Sequence, residues 1–142
     1  VAGSHDPLLD WAIRESGSGL ATFFDGSLDG LARMTRGEAA IAGLHVFEPE
    51  GGDWNRDHVR AALAGAPVVL VEWARRQQGL LLADGLAGKV KGLDLVVDRH
   101  AWFEPPFQRL LAFCATPAFA AKAEELGGYD LAGHGRVVWN AP

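Results

Sequence analysis

Three short turns, Ala2-Gly3-Ser4-His5-Asp6-Pro7, Asp25-Gly26-Ser27-Leu28-Asp29-Gly30 and Ala42-Gly43-Leu44-His45, follow one another within Val1–Phe47. Each follows or closes a short apolar run that reads as a strand, and the first two open segments of helical periodicity. In a parallel arrangement such turns fall on one edge of a sheet. There the helix N-termini offer N–H groups to an anion or a polar ligand. This stretch predicts a binding lobe of α/β type.

Working outward, Asp6-Pro7 places a side-chain acceptor at the N-cap and proline at the first helical position, which predicts a helix to about Glu15. Leu20–Phe24 reads as a strand. Ser27 is expected to cap a helix to about Arg36, with Gly37 as its stop. Ala39–Phe47 is apolar enough for a central strand covered on both faces. Asn55 is expected to cap a helix over Arg56–Ala64, followed by strands at Val68–Trp73, Gly79–Ala83 and Leu93–Asp98. Helices are expected from Pro105 to about Ala115 and from Thr116-Pro117 to Leu126, with a closing strand near Val137–Trp139. The order β-α-β-α-β-α-β-β predicts one α/β three-layer sandwich, with a mostly parallel sheet of about five strands.

The chain has 142 residues, a size suited to one domain with one core. Its 49% hydrophobic and 22% charged composition is that of a globular protein, not of a disordered one. A formal net charge of −5 with scattered basic residues argues against a nucleic-acid surface. One cysteine, Cys114, excludes an internal disulfide and a cysteine-based zinc site, and its apolar helical setting predicts a buried, inert thiol. No run approaches the ~18 apolar residues of a membrane span, and no signal peptide is evident. The start at Val1-Ala2-Gly3, without a methionine, is expected of a fragment cut from something longer.

Ser4 and Ser27 admit two readings. Their hydroxyls and the N–H groups that follow, including that of Leu28, donate to an oxyanion or carboxylate; or each serine is a plain N-cap. Asp6 reads as a cap, since a carboxylate repels an anion. His5 and His45 end turns on the same edge and can face one another across it, either toward a ligand or bonded to loop carbonyls. As a metal pair they would need at least a third ligand, with Asp6 or Asp29 as the candidates, and no fixed metal-ligand spacing supports such a site. Arg76 and Gln78 share a side if their segment is extended, which suits a guanidinium contact to an oxyanion; a surface ion pair is the alternative. A nucleophile elbow, a Walker motif and a dinucleotide fingerprint are all missing, so neither catalysis nor a cofactor is expected.

Taken together, Gly3-Ser4-His5-Asp6, Gly26-Ser27-Leu28-Asp29-Gly30-Leu31, Gly37 to His45, Arg76-Gln77-Gln78-Gly79-Leu80 and Leu126-Gly127-Gly128-Tyr129-Asp130 resemble a known family. It is the periplasmic-binding-protein-like domain of type 2 fold found in bacterial helix-turn-helix regulators, related to molybdate- and tungstate-binding proteins. The resemblance implies a small-ligand sensor of a cytoplasmic regulator, with molybdate or tungstate as the ligand. Ser4, His5, Ser27, Leu28, His45, Arg76 and Gln78 would carry the site. The family pattern has two lobes, whereas here Leu86–Gly92 stands as a short linker where the second is expected. The chain therefore reads as a single lobe over residues 1–142. Its open cleft face would bind weakly or pair with a second copy, and it would bind neither DNA nor membrane. The alternative is an isolated or engineered lobe without a ligand.

Overall fold

The computed structural model describes residues 1–48, 53–76 and 93–141. Its elements are β1 (Ala2–Gly3), α1 (Pro7–Glu15), β2 (Phe23–Phe24), α2 (Ser27–Thr35), β3 (Ile41–Leu44), β4 (Phe47–Glu48), β5 (Asp53–Trp54), α3 (Arg56–Ala62) and β6 (Val68–Arg76). After them come β7 (Leu93–Asp98), α4 (Arg99–Phe103), α5 (Pro105–Cys114), α6 (Pro117–Leu126), β8 (Tyr129–Asp130) and β9 (Val137–Asn140).

One seven-stranded sheet runs β2-β1-β3-β7-β6-β8, with β9 also paired to β6; β4 and β5 form a separate ladder. The sheet is mixed, which corrects the expectation of a mostly parallel sheet of about five strands. Only β1 with β2 and β1 with β3 are parallel; β3 with β7, and β6 with β7, β8 and β9, are antiparallel. β7 lies between β3 and β6 and runs against both, and β8 and β9 run against β6 in turn, so parallel pairing is confined to the β2-β1-β3 end. Beyond β6, the short β8 and β9 take up the edge that a five-strand sheet leaves bare. The expected strand over Gly79–Ala83 and the linker Leu86–Gly92 lie outside the described residues.

Both faces of the sheet carry a core. Alternate residues of β6 divide between them: Val69, Val71 and Trp73 meet α1, α5 and α6 residues such as Leu9, Phe107 and Phe119, while Val68 and Leu70 meet Leu31, Met34 and Val59 from α2 and α3. Strands buried on both faces explain the near-continuous apolar runs in the sequence. Cys114 lies in the first of these cores, and its burial pushes the thiol up to about 12.

α1 starts as its sequence predicts, with Asp6 in extended conformation accepting from the Leu9 N–H at 2.9 Å. α2 does not. Gly26 occupies the N-cap position without a side-chain bond, and Ser27 is the first helical residue. Asn55 also departs from expectation. It stands before α3 at φ 65° without capping the helix, its side chain being used elsewhere.

The placement of α2 depends on three glycines. A Cβ at Gly30 would lie 2.6 Å from Gly3 Cα, and one at Gly3 would lie 2.4 Å from the Gly43 carbonyl oxygen. Gly3 also sits at φ +96°, a left-handed conformation that side chains resist. Because backbone blocks the space on the sheet side, Gly30→Ala should lower the unfolding free energy by about 1–3 kcal/mol. Urea denaturation of the two proteins measures it; an unchanged midpoint would mean that α2 is not seated on β1.

Candidate functional site

Parallel pairing sets the register of the candidate edge. Ala2 lies opposite Ala42 and Gly3 opposite Gly43, so Ser4-His5 and Leu44-His45 leave the sheet at the same level. The Ser4 N–H donates to the Gly43 carbonyl at 2.9 Å, which ties the two exits together. With α2 seated on β1, Ser27 joins them: Ser4 Oγ and Ser27 Oγ are 2.9 Å apart, and the His45 N–H donates to Ser27 Oγ at 2.9 Å. Ser27 therefore does not cap its own helix, since its oxygen serves a neighbouring loop. The two serines carry two hydroxyl protons and use one between them, so one O–H stays available to an acceptor.

The two helix N-termini on this edge differ. Asp6 fills that of α1 with a fully buried carboxylate, whose second oxygen accepts from the Tyr129 hydroxyl at 2.9 Å. The N-terminus of α2 has no side-chain cap, and the N–H groups of Ser27 and Leu28 belong to its first turn. Its positive end is where a negative group would be stabilised. Asp25 flanks it, accepting from the Gly26 N–H at 2.9 Å and pairing with Arg33 at 2.9 Å. Hydrogen bonding from Arg33 lowers the Asp25 carboxyl below the ordinary range, so that guanidinium is committed to Asp25 and Glu38.

The remaining sequence-selected residues are distributed as follows. The exposed His5 ring packs edge-on against Phe24, with centroids 5.1 Å apart. The His45 ring lies 4.6 Å from Trp54, which is also packed by Phe47. The imidazoles thus lean on different strands instead of on one another. Among the described residues no group of three His, Cys, Asp or Glu side chains is placed to hold a metal. The Leu28 side chain is exposed and lines a groove of about 560 Å3 between α2 and α3, so only its backbone belongs to the serine cluster. Arg76 ends β6 opposite Tyr129. Gln78 lies outside the described residues.

Several supporting groups are not legible as such in the sequence, which predicts Asn55 only as a helix cap. Asn55, fully buried, accepts from the Val46 N–H at 2.6 Å and donates to Asp94 at 2.8 Å, which anchors the chain just after His45. Its positive φ is tolerated by asparagine better than by most residues, the one local hint available. Glu48 accepts from the N–H groups of Asp57 and His58 at 2.6 and 3.2 Å and so holds the start of α3. Asp94 and Glu72 stand directly opposite on β7 and β6, both buried. Glu72 is compensated by Arg75 at 3.1 Å and by Arg136. A Cβ at Gly133 would lie 2.2 Å from the Glu72 carboxylate, so a larger residue there would displace that carboxylate.

The chain belongs to the PBP superfamily domain family, the periplasmic-binding-protein-like domains, whose model matches residues 10–94, more than half its length. It is 32% identical over 69 residues to the uncharacterized protein YvgK of Bacillus subtilis (strain 168). That stretch covers 49% of this chain and 22% of that protein, so the chain spans about a fifth of its relative. No solved structure matches. Among the described residues no helix is long and apolar enough to cross a membrane.

One partly buried histidine titrates with the fold. His134 packs against Trp73 and Phe119, with its Nδ1 2.5 Å from the Trp73 carbonyl. Burial lowers its pKa, outweighing the opposing effects of that carbonyl and of Glu72. The unfolded chain therefore takes up this proton more readily than the folded one. The stability is complete above about pH 6.5 and is lost as pH falls toward the native value. Urea midpoints between about pH 7.5 and pH 5 should decline, and His134→Phe should flatten that decline. An equally steep decline in the variant would place the titrating group elsewhere.

Proposed function

We propose that the chain is a binding lobe for a small oxyanion, either a carboxylate or an inorganic anion, and that it performs no catalysis. The observation that carries this reading is the convergence of Ser4 Oγ, Ser27 Oγ and the His45 N–H at the uncapped N-terminus of α2. Membership of a family of ligand-binding domains supports it. The hydroxyl proton left over by the serine pair and the first-turn N–H groups of Ser27 and Leu28 supply donors, and the helix dipole supplies the field. His5 follows Ser4 on the same edge, and β6 ends at Arg76. Molybdate and tungstate lead the candidates on the strength of the family resemblance, which also supports origin in the sensor domain of a cytoplasmic bacterial regulator.

Only residues 77–92 lie between β6 and β7, too few for a second compact unit, so we read the chain as a single lobe. An edge not enclosed by a second lobe binds weakly, because closure is what excludes water from such clefts. A lobe that instead pairs with its own copy through this face has exposed Phe47 and Leu28 in its favour. Sedimentation at increasing concentration separates that reading, since a persistent monomer removes it.

Amide NMR with molybdate, tungstate and sulfate added to millimolar levels tests the site, with chloride as the ionic-strength control. Shifts should cluster at Ser4, Ser27, Leu28 and His45. Ser27→Ala, which removes both the His45 acceptor and the Ser4 partner, should weaken them by roughly tenfold while peak dispersion is kept. Uniform small shifts that follow ionic strength, identical in the variant, would refute an anion site here.

A further inference from the structure

A fully buried carboxylate two residues from Ser4 poses an electrostatic difficulty for any anion bound there. Asp6 is 0% exposed, and at short range in a poorly hydrated setting two negative groups repel strongly. Both of its oxygens are nonetheless engaged by donors: Oδ1 by the Leu9 N–H at 2.9 Å and Oδ2 by the Tyr129 hydroxyl at 2.9 Å. The second donor comes from 123 positions along the chain and lies beyond the residues that the family model matches.

The location of Tyr129 makes this contact more than a cap. β8 pairs with the end of β6, with Tyr129 opposite Arg76 and Asp130 opposite Arg75. The tyrosine therefore spans from the strand that ends in Arg76 to the first residue before α1. Asp6 in turn closes the Ser4-His5-Asp6 turn: its side chain holds Leu9 and its carbonyl accepts from the Asp10 N–H at 2.9 Å. The Tyr129 hydroxyl thereby ties the Ser4-His5-Asp6 turn to the strand paired with the end of β6.

We propose that Tyr129 is a positioning residue of the anion site, fixing the Asp6 turn so that Ser4 meets Ser27, and drawing the negative charge of Asp6 onto its own O–H. The proposal rests on the oxyanion reading given above. It assigns a role in binding to the C-terminal segment and makes Asp6 a group that opposes the ligand while supporting the fold.

Two substitutions separate this role from a merely structural one because they act in opposite directions. Tyr129→Phe keeps the ring and removes the donor, leaving the carboxylate less neutralised. Asp6→Asn removes the charge and keeps a side chain that can still cap α1 and bond the hydroxyl. Molybdate titration followed by amide NMR should show affinity about tenfold lower in Tyr129→Phe, the share of one charge-assisted hydrogen bond. Affinity in Asp6→Asn should be equal to wild type or a few-fold higher.

Tyr129 is the chain's one tyrosine. Its ring resonances in selectively labelled protein should therefore move in wild type with the same midpoint as the Ser27 amide. Wild-type affinity in Tyr129→Phe, or a loss in Asp6→Asn, would overturn the proposal. If Tyr129→Phe does not fold, the direction of the Asp6→Asn change decides alone. A flat titration of wild type refutes the oxyanion reading itself, and this proposal with it, before any variant is made.

Discussion

The close approach of α2 to the sheet, backbone against backbone at Gly30, Gly3 and Gly43, is the constraint on which the rest of the site depends. A helix held off by a layer of side chains would stand several ångströms farther from β1 and carry Ser27 with it. The contact instead brings Ser27 Oγ to hydrogen-bonding distance of both Ser4 and the His45 N–H. It also orients the open end of α2 toward the sheet edge while the capped end of α1 lies beside it. Glycine is required at Gly3 and Gly30 for packing, and at Gly3 also for its backbone angle.

Around this contact the irregular connections are tied down by polar groups taken out of water. Asn55 and Asp94 secure the loop after His45, Glu48 holds the start of α3, and Glu72 with Arg75 and Arg136 binds the turn between β8 and β9 to β6. Each such buried carboxylate is costly unless its oxygens are satisfied, so these contacts specify the geometry of the loops more than they add to stability. Facing Asp94 and Glu72 across a strand pair would be unfavourable without the donors placed on each. The same logic applies to Asp6, two residues from Ser4.

Much of the architecture was legible in the residues because it is written in local chemistry. Asp6-Pro7 announces α1; apolar runs at Val68 and Leu93 announce β6 and β7; Pro105 and Pro117 open α5 and α6. Strand direction was not legible. Periodicity marks Val68–Arg76 and Leu93–Asp98 as strands but does not say that they lie side by side and antiparallel. Glycine and serine in the Gly26-Ser27 turn match an N-cap signal, and only the distance to His45 shows that the hydroxyl is used elsewhere.

The sequence by itself determined an α/β chain, the turns that carry Ser4, Ser27 and His45, and membership of a family of ligand-binding domains, since hydrophobic period, caps and motifs act within a few residues of one another. The tertiary structure alone decided which of those residues meet. It joined Ser4 to Ser27, set His5 and His45 on separate aromatic neighbours, and bonded Asp6 to a tyrosine from the other end of the chain. Such contacts arise from strand order and from how closely helices pack, quantities that depend on the whole fold at once and leave no pattern in any single segment.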